Sequence, residues 1–117
     1  MATMSYGLLS GSANGRGIKI TATASTGTVV HTAVAGTTDV DIVHLYAQNT
    51  DTADRKLPIE FGGTTAPDDL IEVTIEGESG LKLVVPGLPL QNGCVVGAFA
   101  SVGSVINVFG YTHRVDN

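Results

Sequence analysis

Ile18-Lys19-Ile20-Thr21-Ala22-Thr23-Ala24 alternates strictly, with Ile18, Ile20, Ala22 and Ala24 on one side of an extended chain and Lys19, Thr21 and Thr23 on the other. A side-chain period of two carried by β-branched residues is the pattern of a half-buried strand. Short runs of this kind, separated by turn residues, continue nearly from end to end, and no stretch reads as a helix. Strands are predicted near residues 6–10, 17–24, 28–35, 41–48, 56–61, 71–76, 81–85, 94–100 and 105–112. The chain therefore reads as all-β: a single antiparallel β-sandwich or jelly-roll-like domain of about eight or nine strands over residues 1–117, with 1–5 and 115–117 as flexible or contact arms.

The connections support this reading. Asn14-Gly15 and Asn92-Gly93 favour positive φ and a tight reversal. Glu76-Gly77-Glu78-Ser79-Gly80 reads as a hairpin-like link. The longer polar loops at residues 49–54 and 62–69 have the length of crossings between sheets. Pro86-Gly87-Leu88-Pro89 interrupts an apolar run, and proline cannot donate to a ladder, so this segment belongs to an edge or a corner.

Alternation also predicts a core. Ile18, Ile20, Ala22 and Ala24 face it, with either Val43, Leu45 and Ala47 or, in the other register, Ile42 and Tyr46. Leu57, Ile59 and Phe61, then Ile71, Val73 and Ile75, then Leu81, Leu83 and Val85 form further inward faces. Strands 17–24 and 56–61 read as one-sided. The last strand does not, because Val105, Phe109 and Tyr111 occupy one face and Ile106 and Val108 the other. Apolar residues on both faces imply burial on both sides, which makes this strand the first candidate for a subunit contact.

Only 15% of the 117 residues are charged and 43% are hydrophobic. So little charge fits either a surface partly covered by another subunit or a sandwich with a Thr/Ser/Gly-rich exterior. The net charge is −5, and the six basic residues are scattered, with Arg55-Lys56 the one adjacent pair. Nucleic-acid and polybasic membrane binding both need clustered cations, so no nucleic acid and no membrane are expected as partners. Cys94 is the single cysteine, which rules out an internal disulfide framework and reads as a small core hydrophobe. No apolar run has the length of a membrane span and no cleavable leader is read, so synthesis in a reducing cytoplasm is expected.

No catalytic or cofactor signature emerges. His31 and His44 would approach each other as zinc ligands if their strands paired, but the close Cys/His/carboxylate spacing of a metal site is missing. Asp39, Asp41, Asp51, Asp54, Asp68 and Asp69 fall mostly in loops without a calcium-binding pattern, and solvated turn residues are their default role. Glu60, Glu72 and Glu76 sit on polar strand faces, where exposed carboxylates are ordinary. Without Trp, and with three Tyr, a sugar platform to turn them into a glycosidase pair is lacking. No serine lies in a Gly-x-Ser-x-Gly elbow and no glycine loop precedes a helix, so neither a nucleophilic triad nor a nucleotide site is supported. No enzyme activity, no cofactor and no metal are expected.

Four segments carry a resemblance: Ser10-Gly11-Ser12-Ala13-Asn14-Gly15-Arg16-Gly17-Ile18-Lys19-Ile20, His31-Thr32-Ala33, Phe61-Gly62-Gly63-Thr64-Thr65-Ala66-Pro67-Asp68-Asp69 and Val85-Pro86-Gly87-Leu88. In these the chain resembles small virion structural proteins of tailed bacteriophages, of the kind that decorate or cement the capsid. The resemblance implies a β-sandwich or jelly roll that oligomerises as a dimer or trimer and binds the major capsid protein on the outer capsid surface, without chemistry of its own. The alternative is a tail or fibre module that recognises a host glycan. Residues 1–12 and 105–114 are the expected contact segments, with Tyr6, Leu8, Leu9, Val105, Ile106, Val108, Phe109 and Tyr111 as candidate contact residues.

Overall fold

The computed structural model describes residues 3–117. It contains nine strands: β1 (Thr3–Leu8), β2 (Ile18–Lys19), β3 (Thr28–Thr32), β4 (Val40–Asn49), β5 (Arg55–Phe61), β6 (Leu70–Ile75), β7 (Lys82–Leu90), β8 (Val95–Ala98) and β9 (Ile106–Asp116). They form two antiparallel sheets. One has the order β1-β9-β4-β7, with β2 pairing β9 beyond the end of β1, and the other has the order β3-β8-β5-β6.

The pairing has a simple logic. β2 pairs β9, β3 pairs β8, β4 pairs β7 and β5 pairs β6, which is the ladder of one long hairpin. Rolling that hairpin over adds the contacts β9–β4 and β8–β5 and splits it into two facing sheets. This is the jelly-roll arrangement of two facing antiparallel sheets.

Turn chemistry behaves as the sequence predicts at both Asn-Gly pairs: Asn14, Gly15, Asn92 and Gly93 all have φ between 56° and 86°. The prolines of β7 lie on the outer strand of the five-stranded sheet, the position in which a sheet tolerates a residue without an N–H. Two connections differ from expectation. The 62–69 segment returns to a neighbour in the same sheet, joining β5 to β6, whereas the Glu76–Gly80 segment crosses between sheets. Thr3–Ser5 and Val115–Asp116, expected as flexible or contact arms, are paired with each other's strands: Thr3 opposes Asp116, Met4 opposes Val115 and Ser5 opposes Arg114. Met1 and Ala2 lie outside the described residues.

The core is where the inner faces meet. Ile18, Val43, Leu45, Ala47, Val85, Ile106 and Val108 come from one sheet, and Val30, Leu57, Ile59, Ile75, Val96 and Ala98 from the other. Leu9 and Ile20 close it from the flanking loops. Several expected inward residues miss the core. Ala24, Leu81 and Leu83 are exposed: strand 17–24 leaves the ladder after Lys19, Leu81 lies ahead of β7, and the register shift between Leu45 and Tyr46 turns Leu83 to the other face from Val85. β5 departs from one-sidedness: Pro58 and Glu60, on the face away from the core, are buried along with Leu57 and Ile59.

One polar node ties the two sheets together. Asp41, fully buried at the start of β4, accepts bonds from Arg114 Nε (2.7 Å) and Nη2 (3.0 Å) on β9, His31 Nε2 (2.9 Å) on β3 and the Val34 amide (3.1 Å). The Ser10 amide donates to His31 Nδ1 at 2.9 Å, so His31 carries its ring hydrogen on Nε2 and is neutral. Burial alone would raise the Asp41 pKa. The Arg114 and His31 hydrogen bonds and the Arg114 charge outweigh it and hold the carboxyl below 3.8. A carboxyl depressed by folding stabilises the native state above its unfolded value, and that stability is lost as pH falls through the folded value. Unfolding free energy is therefore expected to fall as pH drops below about 3.8. Asp41→Asn should flatten that dependence and cost about 3 kcal/mol at neutral pH, since it leaves Arg114 without its charge partner. Urea unfolding between pH 3 and 7 measures both effects.

Candidate functional site

The outer face of the five-stranded sheet is the feature with most to explain. In β4 the odd positions Val43, Leu45 and Ala47 point to the core, and the even positions Ile42, His44 and Tyr46 point away from it. In β9 Ile106, Val108 and Thr112 are inward and buried, which sends Phe109, Tyr111 and His113 outward. Register then lines these side chains up in rows across the strands. Met4, Val115 and Val40 form one row, and Tyr6, His113, Ile42 and Pro89 the next. Leu8, Tyr111, His44 and Pro86 follow, then Phe109, Tyr46 and Leu83. None of these rows contains Asp, Glu, Lys or Arg.

Aromatic contacts hold the centre of the face. His44 stacks on Tyr111 with centroids 4.6 Å apart and planes 10° from parallel. His113 meets His44 edge-on at 5.1 Å and Tyr6 at 4.4 Å. Nε2 of both His44 and His113 is enclosed without a hydrogen-bond partner, so the two imidazoles behave here as aromatic packing units. The other side of the His44 ring lies against Gly87. A β-carbon there would come within 2.8 Å of His44 Cε1, and Gly87 has φ of 103°, a conformation that costs any other residue. The register shift between Val43 and His44 falls at this glycine, so the bulge in β7 is what makes room for the ring.

Toward the β1 side the face opens to solvent. Met4 is 66% exposed, Tyr6 79% and Leu8 59%, with Leu83 at 50% on the opposite edge. Exposed apolar side chains scattered singly are ordinary, whereas Met4, Tyr6 and Leu8 here adjoin one another along one face of β1.

Of the candidate contact residues, Tyr6, Leu8, Phe109 and Tyr111 share this face. Leu9, Ile106 and Val108 do not: they are core residues, 2%, 0% and 1% exposed. Val105 precedes β9 and packs, partly buried, against the core. The apolar residues on the second face of the last strand are thus its core side, and the first face is the open one. His44, His113, Ile42 and Tyr46 belong to the surface but escape the sequence reading of contacts. Their even spacing in β4 and odd spacing in β9 is the one signal that marks them.

The other sequence candidates separate. His31 and His44 do not meet, since His31 bonds Asp41 and His44 lies on the opposite face of β4. Among the described residues no three His, Cys, Asp or Glu side chains gather in a metal-holding group. Asp41, His31 and Ser10 follow the order of a catalytic triad, but Ser10 reaches His31 through its amide, and its hydroxyl accepts from the Thr32 amide at 2.6 Å. Cys94 is a free thiol, half-buried just ahead of β8. Comparison with family models, with curated proteins and with solved structures finds no match to the chain.

Gly87→Ala should expel the His44 ring from its slot and destabilise the fold by about 1–3 kcal/mol. Denaturant unfolding measures the loss, and the His44 and Tyr111 ring resonances should shift together in NMR spectra.

Proposed function

We propose that the chain is a non-enzymatic structural protein that decorates and stabilises a bacteriophage capsid, binding the major capsid protein through the outer face of the five-stranded sheet. The observation that carries this reading is the unbroken uncharged surface from Met4, Tyr6 and Leu8 across to Leu83 on the outer face of the five-stranded sheet. Aromatic anchors on a rigid sheet lose little side-chain freedom on docking, so burial of Tyr6 and Leu8 converts efficiently into affinity. The resemblance to capsid-decorating proteins supplies the partner, and the net charge of −5 suits a location outside the packaged DNA. In a closed dimer or trimer the same patch recurs on every subunit, and linked weak contacts then add up to firm attachment.

The test is to add purified protein to undecorated shells of the phage that carries it. Saturable binding at or below about 1 μM and a higher shell disruption temperature are expected. The double variant Tyr6→Ser, Leu8→Ser should lose both while keeping its own melting temperature within a few degrees, because both side chains are mostly exposed. No binding of the wild type at micromolar concentration overturns the reading.

A second reading, recognition of a host glycan, has one observation in its favour: the grouping of Tyr6, Tyr111, His44 and His113. Sugars stack on free ring faces beside polar side chains. Here the flat faces of His44 and Tyr111 are already spent on each other, and Met4, Leu8 and Phe109 flank them. A positive glycan-array profile lost in Tyr6→Ser would reverse that preference.

A further inference from the structure

Glu60 is the least expected side chain in the molecule. It points away from the core on β5, opposite Gly97 of β8, where a carboxylate would ordinarily be solvated, yet it is 2% exposed. The loop after residue 24 folds over it. Ser25 Oγ donates to Oε2 at 2.5 Å and the Gly27 amide donates to Oε1 at 2.7 Å. Among the described residues no Lys or Arg nitrogen lies within 4.0 Å of either oxygen. A carboxylate removed from water without a cation is costly, and two neutral donors offset part of that cost.

The carboxylate borders a cavity of about 340 Å³. Val29 and Val95 form its aliphatic walls and stand partly open to solvent, while Gly27, Gly62 and Gly97 leave the floor free of side chains. A β-carbon on Gly97 would sit 3.5 Å from Glu60 Oε1, so the glycine opposite Glu60 keeps the space beside the carboxylate clear. A slot with aliphatic sides and one anion at depth selects a ligand with an apolar stem and a single positive end. Each carboxylate oxygen already accepts one donor, which leaves separate lone pairs suited to a compact ammonium more than to the paired fork of a guanidinium. One carboxylate is also too few oxygens for calcium.

We propose that this cavity binds a primary ammonium group on an aliphatic stem, with Glu60 as its counter-charge and Val29 and Val95 against the stem. That chemistry is carried both by the lysine side chain of a partner protein and by a free polyamine. The site lies on the four-stranded sheet, away from the docking face, so its failure leaves the capsid-binding reading standing.

The experiment is an NMR titration of the 15N-labelled full chain with n-butylammonium, and with n-butanol as the uncharged match. Saturable amide shifts at Gly27, Val29, Val95 and Gly97 are expected with the amine, on the order of 10 mM or tighter, and at least about tenfold weaker with the alcohol. Glu60→Gln keeps an acceptor for Gly27 and should erase the difference between amine and alcohol. If that variant fails to fold, Val95→Phe, which fills the slot from a partly exposed position, should abolish binding of the amine in its place. Nα-acetyl-lysine amide and spermidine then separate the sources, the tighter of the two identifying a partner lysine or a polyamine. Equal shifts with amine and alcohol, amine shifts unchanged in Glu60→Gln, amine shifts unchanged in Val95→Phe, or no shifts at all overturn the proposal.

Discussion

The bonds converging on Asp41 are the constraint on which the rest of the structure depends. Its carboxylate receives Arg114 from β9, His31 from β3 and the Val34 amide from the loop that leads into β4. His31 in turn takes the Ser10 amide, which brings the segment after β1 into the same network. A buried carboxylate is tolerable only when its acceptor sites are filled and its charge is matched, so these elements cannot shift independently. At the other end of β4 a buried amide plays a parallel part: Asn49 donates to the Ala53 and Ile75 carbonyls and accepts from the Asp51 amide. The central strand of the five-stranded sheet is thereby pinned at both ends, and its register follows.

That register has a consequence on the far side of the sheet. Because side chains alternate, fixing Val43 and Leu45 toward the core obliges Ile42, His44 and Tyr46 to line up on the outside beside Phe109, Tyr111 and His113. A slip of one residue would bury the imidazoles and expose the valine and leucine. The uncharged face is therefore coupled to the core node without touching it. The two sheets also differ outwardly, since one presents stacked aromatic rings and the other a glycine-floored slot with a carboxylate at its base.

Much of this was legible along the chain, for a local reason. Strand period and turn chemistry depend on neighbours in sequence, so eight or nine strands, the Asn-Gly reversals and an edge or corner position for Pro86 and Pro89 could all be read directly. The inward set Leu57, Ile59 with Phe61 followed from the same alternation, which left Val43, Leu45 and Ala47 against Ile42 and Tyr46 for the structure to decide. Errors fall where the environment is non-local. Glu60 is polar on a polar face, and only a loop 33 residues upstream in sequence makes it buried. Ile106 and Val108 are as apolar as Phe109 and Tyr111, and composition alone cannot say which set faces the opposing sheet.

By itself the sequence determined an all-β chain of short antiparallel strands and a last strand apolar on both faces, because side-chain period and turn propensity are properties of adjacent residues. Only the tertiary structure decided that the strands roll as one folded hairpin, that Phe109 and Tyr111 rather than Ile106 and Val108 are the open side, and that His44 pairs with His113 instead of His31. Those outcomes depend on which strands become neighbours in space. Neighbourhood is set by filling the core and satisfying Asp41, conditions met jointly by residues far apart in the chain.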